Sequence, residues 1–109
     1  MPYLIVQFQG GFSRRVEVEK SPTVLGRGTS CDVQIVDDKV SRRHCQLSEL
    51  EGQWHLEDLD SRNQTWIGLE AIEQTLLADG DQFRIGQTQI VFRTEEDPTQ
   101  AFEEPPSVD

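Results

Sequence analysis

Glycine, aspartate and asparagine interrupt this chain every few residues, and between the interruptions apolar positions alternate with polar ones. No stretch keeps a helical repeat of apolar residues long enough for an ordinary helix, so a helix bundle or a parallel α/β sheet lacks its building blocks. The pattern predicts an all-β fold, a sandwich or barrel of many short strands. Residues 3–8 are rich in β-branched and aromatic side chains, Gly10 and Gly11 break the run, and residues 15–19 alternate again: a hairpin. Residues 23–25 make a brief strand closing at Gly26, and residues 32–35 alternate before the turn-forming Asp37 and Asp38. Residues 44–50 and 53–59 flank Glu51 and Gly52 as a second hairpin, and residues 65–68 continue the β pattern. Residues 82–85 and 88–93 flank Gly86 and Gln87 as a third, entered through a turn at residues 78–81. Trp54 and Trp66 both fall in strands and are expected in the core.

After Arg93 the composition changes: residues 94–109 hold six acids, three prolines and no base. A segment so charged and so poor in apolar residues is expected to be a disordered tail, leaving residues 1–93 as one domain. Thr99, flanked by acids on that tail, is a candidate phosphorylation site.

A chain of 109 residues suffices for one core without disulfides or a structural metal. Its net charge of −10 disfavours nucleic acid and anionic membrane as main partners, since both need a broad basic surface. No apolar run is long enough to span a bilayer, and the N-terminal residues lack a basic region and a cleavage site, so cytoplasmic residence is expected. Cys31 and Cys45 are expected to be free thiols. With His44 and His55 they show no zinc-ligand spacing, and no metal or other cofactor is expected.

Against this acidic background Arg27, Lys39, Arg42, Arg43 and Arg62, five of the ten basic residues, fall within one stretch. A phosphorylated side chain carries nearly two negative charges and three acceptor oxygens, and needs donors converging from several directions. Loops at one end of a sandwich supply them: Arg27 after Gly26, the hydroxyl of Ser41, Arg42, and Asn63 on a third loop. A hydrolase reading, with Ser41 as nucleophile, His44 as base and Asp58 or Asp60 as orienter, lacks a nucleophile elbow and a glycine-rich oxyanion loop. Asp58 and Asp60 are expected to be turn or loop residues, too few in oxygen ligands for calcium.

The segments LGRGTSCDVQIVDDKVSRRHCQL, LEDLDSRNQTWIG and LLADGDQFRIGQTQIVF together resemble the forkhead-associated (FHA) domain family, with its GR, SxxH and N-x-T elements in order. The resemblance spans residues 3–93 and implies an eleven-stranded β-sandwich, an adaptor without enzymatic activity that binds phosphothreonine peptides through loops at one end. By this resemblance Arg27, Ser41 and Arg42 contact phosphate, and Asn63 holds the peptide backbone. Arg62, Thr29 and Ser30 border the peptide, and Lys39 faces the third residue after phosphothreonine, where an acidic residue is expected. Gly26, His44 and Thr65 support the pocket, Gly26 by allowing the turn that presents Arg27. Partners implied are phosphothreonine-containing proteins among Ser/Thr kinase substrates, including the chain's own tail through Thr99 or a second copy. The family commonly has glycine where Gln64 stands, so a left-handed backbone there would cost on the order of 1 kcal/mol. The alternative is a phosphate-independent scaffold binding through a lateral face, against which the pairing of Arg27 with Ser41 argues.

Overall fold

A computed structural model describes residues 2–8 and 10–94. Eleven strands form two sheets, with no helix among the described residues: β1 (Tyr3–Gln7), β2 (Ser13–Glu17), β3 (Thr23–Gly26), β4 (Val33–Gln34), β5 (Cys45–Leu50), β6 (Gln53–Asp58), β7 (Thr65–Ile67), β8 (Glu70–Ile72), β9 (Gln74–Leu77), β10 (Gln82–Ile85) and β11 (Thr88–Arg93). One sheet runs β2-β1-β11-β10-β7-β8 and the other β4-β3-β5-β6-β9. The all-β sandwich that the alternation predicts is the fold observed. The acidic tail beyond Thr94, with Thr99, lies outside the described residues.

The three hairpins are present in the expected registers. Glu51 and Gly52 both take positive φ, 55° and 79°, the pattern of a tight type I′ turn that matches the twist of β5 and β6. In the β10–β11 turn only the first loop residue, Gly86, has positive φ. A Cβ there would lie 2.9 Å from both the Asp37 carboxylate and Val40, so this turn also lets another loop press against it.

Strand alternation fills the core. Leu4, Val6, Phe83, Ile85, Ile90 and Phe92 point inward from one sheet and meet Leu25, Val33, Cys45, Leu47, Leu56 and Leu77 from the other. Ile35 and Val40 join this core from the β4–β5 connection, 0% and 1% exposed, and so anchor an otherwise polar loop at both ends. Both cysteines are free thiols, and burial pushes the Cys45 thiol pKa well up, leaving it inert. His44 and Cys45 are both buried but diverge, Cys45 into the core and His44 beneath the loops.

Two expectations are revised. Trp66 is not core: it is half-buried at the loop end of the sandwich, with the Arg84 guanidinium 5.6 Å over its ring and its indole N–H donated to the Asn63 carbonyl. Its side chain faces outward from β7, where it pairs with Arg84. Trp54 is also half-buried but packs on the core and against Phe92, with ring centroids 6.1 Å apart. Strands β8 and β9 have no counterpart in the pattern read from residues 69–77. Both are short, lie at sheet edges and expose most of their residues, so no two-residue alternation marks them.

Candidate functional site

Because β3 runs antiparallel to β5, and β5 to β6, the end of β3, the start of β5 and the end of β6 meet at one edge. The start of β7 and end of β10 arrive there too. The β3–β4, β4–β5 and β6–β7 loops therefore share one end of the sandwich. Between them lies an open cavity of about 520 Å³ lined by Arg27, Lys39, Ser41, Arg42, Arg62 and Asn63, together with Val40 and the carboxylates of Asp38 and Asp60.

The first two loops are stitched backbone to backbone. Arg27 N–H donates to the Ser41 carbonyl (2.9 Å), Gly28 N–H to the Arg42 carbonyl (3.1 Å) and His44 N–H to the Leu25 carbonyl (2.9 Å). Gly26 is required here for a reason other than turn freedom, since its φ is not positive. A Cβ on it would sit 2.2 Å from the Arg42 carbonyl oxygen and 2.9 Å from Cys31 Sγ, so only glycine admits the close approach. The Cys31 thiol donates to that same Arg42 carbonyl (2.8 Å).

Arg27 donates through Nε to the Val40 carbonyl (3.0 Å), which fixes the plane of its guanidinium and leaves the two terminal amino groups for a ligand. Ser41 Oγ accepts the Arg62 N–H (2.9 Å), so its own O–H is left to donate. Asn63 Nδ2 donates to the Lys39 carbonyl (2.7 Å), tying the β6–β7 loop to the β4–β5 loop. Among the described residues no ion pair engages Arg27, Lys39, Arg42 or Arg62. Four cations against Asp38 and Asp60 leave the cavity net positive in a chain of charge −10. The attraction acts at short range, because charges farther than a Debye length of roughly 8 Å are screened at physiological salt.

His44, fully buried, is the brace beneath. Ser41 N–H donates to its Nδ1 (3.0 Å), so the ring proton resides on Nε2 and is donated to the Gln64 carbonyl (2.8 Å). One neutral imidazole thus locks the Ser41 loop to the Asn63 loop. Burial pulls its pKa below the ordinary 6.5, against the opposing pull of the Gln64 carbonyl and of the Asp58 and Asp37 carboxylates. The nitrogen facing Ser41 holds its amide, not its hydroxyl, so the serine–base hydrogen bond of a hydrolase is not formed.

Gln64 has φ 68°, the left-handed conformation that glycine adopts without penalty, and Asp60 on the same loop has φ 59°. The His44 bond to the Gln64 carbonyl helps to hold this strained turn. Thr65 is buried and its hydroxyl donates to Asp58 (2.7 Å); the same carboxylate accepts both the hydroxyl and the amide of Ser61. Asp58 therefore closes the loop that carries Arg62 and Asn63.

Asp37 performs the same service for the β4–β5 loop, accepting from Lys39 N–H (2.9 Å), Gln87 N–H (2.8 Å) and the Thr88 hydroxyl (2.9 Å). Burial works against its charge, but these three donors outweigh it and hold the carboxyl below its ordinary 3.8. Sequence reasoning treated Asp37 only as a turn former and gave Asp58 no structural role; both are acceptors whose donors lie on other segments. Thr29 and Ser30 are exposed on the β3–β4 loop, and Arg43 on the β4–β5 loop; none of the three lines the cavity.

A β-sandwich that gathers cations, a free hydroxyl and an amide side chain on braced loops at one end is, by class, an anion-receptor module. The FHA domain model matches residues 23–86, and the chain belongs to the FHA domain family. It is 33% identical over 89 residues to the FHA domain-containing protein FhaA of Mycobacterium tuberculosis, covering 81% of this chain and 17% of that one. It is 31% identical over 91 residues to the glycogen accumulation regulator GarA of Mycolicibacterium smegmatis, covering 84% of this chain. The chain matches 58% of the length of that GarA. Among solved structures, one from an analysis of phosphothreonine-dependent FHA domain interactions superposes with a TM-score of 0.76 at 29% identity, covering 86% of this chain and 98% of the other. The FhaA FHA domain, in complex with the intracellular domain of Rv3910, superposes with a TM-score of 0.73 at 30% identity, covering 83% and 99%.

Proposed function

We propose that this chain is a phosphothreonine-peptide recognition module that serves as a signalling adaptor or regulator, without a catalytic step of its own. The observation that carries the reading is the Arg27–Ser41 pair. One guanidinium is held by Val40 and one hydroxyl is oriented by Arg62, both with donors left over, and both border a positive cavity. In this reading Arg27, Ser41 and Arg42 take the phosphate oxygens and Asn63 exchanges its bond to Lys39 for the peptide backbone. Arg62 borders the peptide, with Thr29 and Ser30 at the outer edge of the first loop. Gly26, His44 and Thr65 hold these groups in place.

Charge-assisted hydrogen bonds of roughly 1.5 to 3 kcal/mol each, less the ordering costs of peptide and loops, give micromolar affinity, about −8 kcal/mol. Lys39 favours an acidic residue at the third position after phosphothreonine. Threonine is preferred to serine to the extent that its methyl group is buried, about 0.8 kcal/mol or roughly fourfold. Partners are phosphorylated kinase substrates or kinase intracellular segments, a reading supported by the complex of the related FhaA domain. The chain's own Thr99, in cis or from a second copy, is a further ligand of the same chemistry; a flexible link would supply millimolar effective concentration.

The test is calorimetric titration with one peptide in threonine, phosphoserine and phosphothreonine forms, repeated on Arg27→Ala. Binding only to the phosphorylated forms, lost in Arg27→Ala while thermal stability is kept, is the expected result. Equal affinity for the unphosphorylated peptide, or retention in the variant, would overturn the reading in favour of a phosphate-independent scaffold.

A further inference from the structure

Beside the phosphate cavity, and continuous with it through Lys39 and Asn63, lies a second cavity of about 300 Å³. Trp66, Arg84, Gly86 and Gln87 complete its lining, which has two cations and no carboxylate. In a chain with 20 acids and 10 Lys or Arg, a concave surface without an acid is unexpected on composition alone.

Arg84 is exposed on β10, directly across from Trp66 on β7. Its guanidinium lies 5.6 Å from the Trp66 ring centroid and donates through Nη1 to the Gly86 carbonyl (2.8 Å). Stacking and this one bond hold the head group while leaving Nε and Nη2 unengaged. Neither Arg84 nor Lys39 has an ion-pair partner among the described residues. Trp66 also donates its indole N–H to the Asn63 carbonyl (2.9 Å), so the platform under Arg84 is fastened to the residue assigned to the peptide backbone. A guanidinium oriented in this way has a planar fork matched to a carboxylate or phosphate.

We infer that Arg84, stacked on Trp66 beside Lys39, forms a second anion subsite that reads an acidic or phosphorylated side chain elsewhere on the peptide held at the phosphate cavity. This inference rests on the phosphothreonine reading above. A bound phosphothreonine anchors the peptide, and the second anion is drawn into a neighbouring cavity that no carboxylate of the protein competes for. Because Arg84 is exposed, the gain is that of a partly screened pair, about three- to tenfold in affinity at low salt.

The test compares three synthetic peptides by calorimetry: one phosphothreonine with neutral flanks, the same peptide with glutamate scanned through the flanking positions, and the same with a second phosphothreonine at the best position. Wild-type protein is expected to prefer the acidic peptide about three- to tenfold, and the doubly phosphorylated one at least as strongly. Arg84→Gln is expected to erase the preference while changing the neutral peptide's affinity by less than about twofold, and Arg84→Lys to keep part of it. A purely structural cation–π pair would instead lower all three affinities together, or only the melting temperature, and that result overturns the inference. So does a preference that survives Arg84→Gln, which would assign the second anion to Lys39 alone. If the neutral phosphothreonine peptide itself fails to bind wild type, the underlying reading falls first; if it binds and the glutamate scan is flat, only the second subsite falls.

Discussion

His44 touches no ligand in the proposed mode, yet its replacement has the largest calculable consequence. His44→Ala removes the acceptor of the Ser41 N–H and the donor to the Gln64 carbonyl, bonds of 3.0 and 2.8 Å. Both groups border solvent once the ring is gone, so each orphaned partner costs about 1 kcal/mol, the low end of the usual range. Loss of a fully buried ring adds about 2 kcal/mol, as in mild large-to-small core replacements. The sum is about 4 kcal/mol, a large part of the 5 to 15 kcal/mol by which domains are ordinarily stable. With a guanidinium slope of about 2 to 3 kcal/mol per molar, the unfolding midpoint falls by roughly 1.5 to 2 M. The Ser41 and Asn63 loops also lose their shared anchor, and phosphothreonine-peptide affinity falls at least about tenfold, equivalent to 1.4 kcal/mol. Guanidinium denaturation followed by tryptophan fluorescence, with calorimetry under native conditions, measures both. A variant within about 1 kcal/mol of wild type that binds with unchanged affinity would refute the bracing argument.

Gly26→Ala forces a methyl group to within 2.2 Å of the Arg42 carbonyl, so it should cost about 1 to 3 kcal/mol in thermal denaturation and weaken phosphopeptide binding by moving Arg42. Asp37→Ala orphans the amides of Lys39 and Gln87 and the Thr88 hydroxyl, and should cost about 2 to 3 kcal/mol, with faster amide exchange at Gln87 as the local signature. His44 has a folded pKa below its unfolded 6.5, so the unfolded chain binds the proton first; its contribution is complete above pH 6.5 and is lost as pH falls through the folded value. NMR titration of the His44 ring should place its midpoint below 6.5, and a midpoint above that would contradict its burial as a neutral brace. A second loss of stability, below pH 3.8, should follow protonation of Asp37, Asp32 and Asp79, each held below that value by hydrogen bonds.

The parts of the site legible in the sequence were those written in residue type and local order. Arginine after glycine, serine three residues before histidine, and asparagine before a threonine two positions on marked the three loops. The residues that make those loops rigid were not legible. Asp37 reaches Gln87 across 50 residues of chain, and Asp58 matters because Ser61 and Thr65 turn back onto it. An aspartate in a turn looks the same whether its carboxylate faces water or three donors. Trp66 reads as a core tryptophan because strands usually bury aromatics, whereas the β7 register sends it outward against Arg84. Gln64 was marked as a departure, and its φ of 68° shows the left-handed turn kept without the glycine.

By itself the sequence determined the fold class, the hairpins and the chemistry on offer. Alternation, turn residues and charge are local properties, each decided within a few residues of chain. Only the tertiary structure decided which of those groups face one another. The imidazole between Ser41 and Gln64, the carbonyl of Arg42 against Gly26, and the guanidinium of Arg84 on Trp66 depend on strands far apart in sequence meeting in one register. Long-range registry comes from packing two sheets on a shared core, and no short window of residues contains it.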